Sequence, residues 1–253
     1  MTPELVELHR RLVELLSGDS PEVLEAGCGS ISRLSLPAGT HLVGIDISEN
    51  QLRRNTQLHE RILGDVTTHP LPASRFDLVV CWDVLEHLTD PARALDNLFG
   101  SVRPGGLVLV ALPNLWSLKG LITRLTPFSV HRAFYRYVIG DRRPATEFDQ
   151  FPTYLRLAVA PRRITRFAAS RGFDVRFFRL YQGPVQTWMR RHKRWADIGF
   201  GLLDAISTIV SFGTFNLNHS DCLILLQKRS DAGLPRDRVG MPDQPAPSHS
   251  ARS

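Results

Sequence analysis

Glu25-Ala26-Gly27-Cys28-Gly29-Ser30 follows the short apolar stretch Val23-Leu24 and sets one carboxylate two residues ahead of a glycine pair. His41-Leu42-Val43-Gly44-Ile45-Asp46 is a second such stretch, and it ends in another carboxylate 19 positions beyond Gly27. A strand, a bare-backboned turn and an acid at the tip of the next strand make a nucleoside-binding unit. The glycines let the backbone approach a ligand, and the acid accepts hydrogen bonds from ribose hydroxyls. A second constellation, Asp83-Val84-Leu85-Glu86-His87, follows the near-continuous apolar run Phe76–Cys81. A histidine there can take a proton from a hydroxyl near neutral pH. Two carboxylates and a histidine can also hold a divalent cation.

The spacing discriminates between nucleosides. A dinucleotide loop reads G-x-G-x-x-G and clasps a pyrophosphate at a helix N-terminus. Here the third glycine would fall at Ser32, and Glu25 suits a ligand with a cationic end better than one with two phosphates. The loop resembles that of the class I S-adenosylmethionine-dependent methyltransferases, E/D-x-G-x-G-x-G, with Ile31 in place of the third glycine. Their further motifs follow in the family's order: Asp46, Asp65, Phe76–His87 and Pro104-Gly105-Gly106.

The resemblance implies S-adenosylmethionine as cofactor, with Asp65 on the adenine amino group and the Val66 amide close to a ring nitrogen. The expected cofactor-binding set is Glu25, Gly27, Cys28, Gly29, Asp46, Ile47, Asp65, Val66, Cys81 and Trp82, with His87 and Asp83 as catalytic candidates. Asp83-x-x-Glu86-His87 also resembles the E-x-x-E-H run of ubiquinone-pathway O-methyltransferases and small-RNA 2′-O-methyltransferases, where the acids and histidine hold a metal. Asp83 is one methylene shorter than that glutamate, so no metal is expected, and a metal on Asp83, Glu86 and His87 is the alternative.

These residues need a scaffold. Leu5, Leu8, Leu12, Leu15 and Leu16 recur at helical spacing over Glu4–Leu16. Strands are expected at Pro21–Glu25, His41–Asp46, Phe76–Cys81, Leu107–Leu112, Phe173–Tyr181 and Cys222–Gln227, and Arg61–Val66 holds a short strand followed by Gly64-Asp65-Val66. Pro37 and Gly39 force the helix after the glycine loop to be short. Ser48 N-caps a helix running to Glu60, Asp90 and Pro91 open a helix ending at Val102, and Pro161–Arg171 is a basic amphipathic helix. The expected fold is α/β: a Rossmann-like, seven-stranded, mostly parallel sheet with an antiparallel last strand. Residues 1–229 form one domain, and 230–253, rich in Pro, Ser, Gly and Asp, form a disordered tail.

Two aromatic-rich insertions, 113–160 and 182–221, are expected to cap the site and choose the substrate. The first carries Trp116, Phe128, Phe134, Tyr135, Tyr137, Phe148, Phe151 and Tyr154; the second carries Trp188, Trp195, Phe200, Phe212 and Phe215. Within the second, Ile198–Leu217 sets Asp204, Thr208 and Ser211 opposite Leu202, Ile206 and Ile209. That pattern reads as an amphipathic lid or surface helix, not a span. The run Trp188–Trp195 mixes aromatic and basic residues, which suits a headgroup surface or a folded basic helix equally.

Composition sets the outer limits. A chain of 253 residues, 43% hydrophobic and 22% charged, can bury a substantial core. Cys28, Cys81 and Cys222 show no paired spacing, which excludes a disulfide framework and points to a reducing compartment. No secretory leader is visible at Met1-Thr2-Pro3-Glu4, so a cytoplasmic location is expected, with peripheral membrane contact open. The net charge of +6 is uneven: residues 119–195 carry 17 Lys/Arg against 4 Asp/Glu. Such a segment is a solvated face or attracts an anionic substrate, headgroup or nucleic acid. The expected activity is methyl transfer, by O-methylation, to a small-molecule or lipid-linked acceptor. Nucleic-acid methylation is the competing class, disfavoured because no RNA-binding module is recognisable. Glu25, Asp46 and Asp65 argue against a non-catalytic cofactor-binding protein, and Ser32 and Glu25 against an NAD-dependent oxidoreductase.

Overall fold

Strand β1 (Glu22–Ala26) lies between β2 (His41–Asp46) and β4 (Phe76–Trp82), parallel to both. This computed structural model describes residues 2–16, 18–114, 116–118, 120, 137, 159–212 and 216–230. The remaining strands are β3 (Glu60–Leu63), β5 (Val102–Pro113), β6 (Phe173–Tyr181) and β7 (Asp221–Lys228). Together they form one seven-stranded sheet in the order β3-β2-β1-β4-β5-β7-β6. β7 runs antiparallel between β5 and β6 and is what departs from the parallel set. The expected fold class is the observed one.

The order explains the sequence pattern. β4 is covered on both faces, so Leu78, Val79, Val80 and Cys81 are all at most 1% exposed and the strand reads as continuously apolar. One face packs under α3 (Pro91–Ser101) and α4 (Pro161–Ser170). The other packs under α1 (Pro3–Leu15), through Leu8 and Leu12, and α2 (Glu49–Arg54), through Leu52. Burying each such leucine contributes roughly 1.5–3 kcal/mol. Strand order reverses between β1 and β4, and the crevice at their carboxyl ends is where open α/β sheets bind ligands.

Several local expectations need correction. Residues 30–40 contain no helix, not even the short one expected. Leu34 and Leu36 instead pack onto the core as an extended loop. α2 begins after Ser48, whose hydroxyl accepts from the Gln51 amide as an N-cap, but it stops at Arg54, not Glu60. Arg61 ends it, donating to the Leu52 and Asn55 carbonyls at 2.9 and 2.8 Å. Pro104-Gly105-Gly106 lies inside β5, opposite a register irregularity between Phe76 and Leu78. In the second insertion α5 (Pro184–His192) leads into α6 (Arg194–Ser211). Most of insertion 113–160, including Phe128, Phe134, Tyr135, Phe148, Phe151 and Tyr154, lies outside the described residues, as do Phe215 and the tail from 231.

Candidate active site

The glycine loop is fixed by three contacts. Gly27 and Gly29 have φ of +62° and +57°, a region that favours glycine. A side chain at Gly27 would also collide with a Val84 methyl. The Gly29 amide donates to Asp46 Oδ2 at 2.9 Å, which fastens the loop to the end of β2. Asp46 Oδ1 accepts from the Ser48 amide at 2.9 Å, so the carboxylate is held by both oxygens with lone pairs to spare. Beneath the loop, fully buried Asn55 donates to the Cys28 and Gly29 carbonyls at 3.5 and 3.3 Å. Asn55 carries no motif and was not expected.

Glu25 is 4% exposed. Its Oε1 accepts from the Arg33 amide at 2.9 Å, and its Oε2 has no hydrogen-bond partner among the described residues. Burial pushes this carboxyl above the ordinary glutamate range. Gln51, likewise buried, has an Oε1 without a partner among the described residues. Buried polar atoms of this kind are uncommon without a reason.

A cavity of about 460 Å³ opens here. Its walls include Gly27, Cys28, Gly29, Asp46, Ile47, Asp65, Val66, Trp82, Asp83 and His87, and also Gln51, Thr67 and Thr89, which sequence reasoning missed. S-adenosylmethionine fits this donor set. Asp46 and Asp65 on this wall match the ribose and adenine, and the unpartnered Glu25 oxygen, although Glu25 is not itself a wall residue, matches an ammonium. Without a helix between Gly29 and β2, no helix N-terminus is available there for a pyrophosphate. Asp65 Oδ1 accepts from the Thr67 amide at 2.7 Å, which fixes the turn after β3.

Three expected residues, Glu25, Cys81 and Glu86, are not on this wall. Cys81 is sealed within the core cluster and its side chain does not reach the cavity. Glu86 is 3% exposed and lies apart from the cavity wall that Asp83 and His87 share. Among the described residues no group of three His, Cys, Asp or Glu side chains comes together to hold a metal.

A second cavity, of about 470 Å³, adjoins the first. Arg33, Trp82 and Asp83 line both. Asp83 sits at the junction with φ +54°, a strained value for a residue with a side chain. Leu5, Leu8, Leu34, Ala111, Leu112 and Pro184 give this chamber an apolar wall, and His9, Tyr181 and Asp221 give it polar groups. Burial and the neighbouring Asp221 and Asp83 carboxylates push the Tyr181 hydroxyl far above its ordinary range, so it stays a hydrogen-bond donor.

Residues 24–110 match a family model described as a methyltransferase domain. A protein of Mycolicibacterium smegmatis named as a probable S-adenosylmethionine-dependent methyltransferase is 34% identical over 48% of this chain and 49% of its own. A ubiquinone biosynthesis O-methyltransferase of Aromatoleum aromaticum is 37% identical over 43% of this chain and 54% of its own. The chain therefore spans about half the length of these curated relatives. A solved structure of an S-adenosylmethionine-dependent methyltransferase from Archaeoglobus fulgidus superposes with a TM-score of 0.53 at 17% identity, covering 90% of this chain and 95% of that one. It shares the fold.

Proposed function

We propose that this chain, which belongs to the class I S-adenosylmethionine-dependent methyltransferases, methylates a hydroxyl of a small or lipid-linked molecule held in the second chamber. The observation that carries the reading is the meeting of two cavities at Trp82 and Asp83. One has the donor set for the cofactor, and the other has an apolar wall with a few polar groups, His9, Tyr181 and Asp221. The O-methyltransferase relative supports oxygen as the acceptor atom.

The cofactor supplies an activated methyl, whose bond to sulfur breaks with its electron pair returning to sulfur as a new carbon–oxygen bond forms. The protein's part is alignment and removal of one proton. Glu25 would hold the ammonium, Asp46 the ribose hydroxyls, and Asp65 with the Val66 amide the adenine. His87 lines the cofactor cavity and would take the hydroxyl proton, while Asp83, at the junction, would hold the hydroxyl in line. The basic stretch over residues 119–195 favours one rival, an RNA acceptor.

The test is a methyl-transfer screen against phenolic, lipid-linked and RNA acceptors, with products identified by mass spectrometry and cofactor binding followed by calorimetry. Methylated RNA without methylated small molecules would replace the acceptor class. Failure to bind S-adenosylmethionine would remove the reading altogether.

A further inference from the structure

Helix α6 wears its apolar side outward. Trp195, Ile198, Leu202, Ile206 and Ile209 follow one another at offsets of 0, 3, 7, 11 and 14, which confines them to roughly 80° of the helix circumference. They are 61, 61, 60, 53 and 73% exposed. Asp204 lies on the opposite side and faces the protein. Its Oδ1 accepts from Asn218 at 2.7 Å and Asn216 at 2.9 Å, and its Oδ2 accepts from Arg190 at 2.8 Å. Ser207, beside it, is 4% exposed and accepts from the Leu217 amide at 3.3 Å. Rolling the helix to hide its apolar stripe would break this set around a partly buried carboxylate, so the outward stripe is fixed by the inward polar side. Scattered exposed apolar residues are ordinary, but five on one continuous stripe are not.

We infer that α6 is an interfacial helix that seats the protein on an anionic lipid surface. Charge selects the occupant. Arg191, Lys193 and Arg194 stand at the start of the stripe, next to Trp195, where a helix lying in a bilayer interface keeps its cations at headgroup level. The two acids of α6, Asp197 and Asp204, are both bonded to Arg190. A second copy of this helix would therefore bring no acid to those cations, whereas anionic headgroups would. The helix would lie on the membrane: among the described residues no helix is long and apolar enough to cross one. This inference does not rest on methyl transfer, although Pro184, the first residue of α5, lines the second chamber. Docking would bring that wall close to the lipid.

The experiment is flotation of the full chain with vesicles of phosphatidylcholine alone and of phosphatidylcholine with about 30% phosphatidylglycerol. Binding is expected to the anionic vesicles, weakening with salt. Leu202→Asp with Ile206→Asp should reduce it at least about tenfold, and Lys193→Gln with Arg194→Gln should reduce it and flatten the salt dependence. Neither pair touches the cofactor cavity, so S-adenosylhomocysteine affinity should stay unchanged, which separates this inference from the cofactor reading. The inference is overturned if the wild-type chain floats with neither vesicle, or if L202D/I206D binds as well as wild type. It is equally overturned if that variant dissociates a dimer seen by sedimentation, since a second copy would then cover the stripe. A lowered melting temperature would mean that the chain itself covers it, and retention on a short RNA in place of vesicles would mean a nucleic-acid surface.

Discussion

The amide of Gly29 donates to Asp46 Oδ2 across 2.9 Å, tying the glycine loop after β1 to the tip of β2. One carboxylate thus both shapes the loop and presents acceptors to a ligand. Asp46→Ala is expected to lose both contributions. Cofactor affinity should fall by about 1–3 kcal/mol in calorimetry, because the ribose hydroxyls lose their acceptor and the loop its fastening. Unchanged affinity in Asp46→Ala would remove this residue from the site.

With Glu25 proposed to hold the ammonium, cofactor binding is expected to depend on pH. Its carboxyl is raised by burial above the ordinary value of about 4.5, and an ammonium prefers the ionised form. Affinity for S-adenosylmethionine should therefore be full above the raised value. It should fall with pH at a point higher than an ordinary glutamate would give. The ligand-free chain has the opposite linkage: stability contributed by protonated Glu25 is present at low pH and is lost as pH rises through the raised value. In Glu25→Gln, calorimetry should show weaker binding without that pH step. A step that survives the substitution would assign it to another group.

Asn55 acts from below the loop. It does not itself line the cavity, yet its amide holds the Cys28 and Gly29 carbonyls. Asn55→Leu should weaken cofactor binding through loop geometry while Ser48 still caps α2. Leaving those carbonyls unpaired should also destabilise the fold by about 1–3 kcal/mol. Loss of stability with normal cofactor affinity would make Asn55 purely structural.

The legibility of this chain follows from which residues act locally. Glu25, Gly27, Gly29, Asp46 and Asp65 are readable because a tight turn and a strand tip demand particular residue types at fixed spacing. Strands β1, β2, β4, β5 and β7 are readable because burial on both faces leaves nearly continuous apolar runs, whereas the outer strands β3 and β6 are only partly buried. Asn55 gave no signal, since its role depends on contacts with a loop more than 20 positions away, and Gln51 gave none, since only the folded chain brings it to the cavity wall. α2 ended early because Arg61, beyond the expected helix, captures its last carbonyls. Helix α6 showed its two sides in the sequence, but periodicity cannot say which side meets the protein. That choice is made by Arg190, Asn216 and Asn218.

Asp83 and His87 separate two chemistries. With His87 as base, His87→Ala should lower turnover by roughly 100-fold or more, with cofactor affinity nearly unchanged and no effect of chelator. With a metal on Asp83, Glu86 and His87, chelator should abolish turnover and added Mg²⁺ or a transition metal should restore it. The burial of Glu86 away from the shared cavity wall favours the first outcome. Turnover that survives both treatments would make the motif structural.

Asp204 predicts how the α5–α6 unit responds to acid. Burial acts to raise its pKa, but hydrogen bonds from Asn218, Arg190 and Asn216 outweigh it and hold the carboxyl below the ordinary aspartate value of about 3.8. A depressed folded-state value means that Asp204 contributes stability above the ordinary aspartate range, and that the contribution is lost as pH falls through the depressed value. The unit should therefore loosen in acid before the sheet does, because α5 and α6 pack chiefly on each other. Hydrogen exchange over residues 184–211 should show protection at neutral pH that is lost as pH falls below the ordinary aspartate range, while β4 and β5 stay protected. Asp204→Asn keeps the shape but removes the charge facing Arg190. It should lower protection at neutral pH by about 1–2 kcal/mol, a value discounted for partial exposure, and flatten the acid response. Equal acid sensitivity in wild type and Asp204→Asn would show that another carboxylate controls the helix pair.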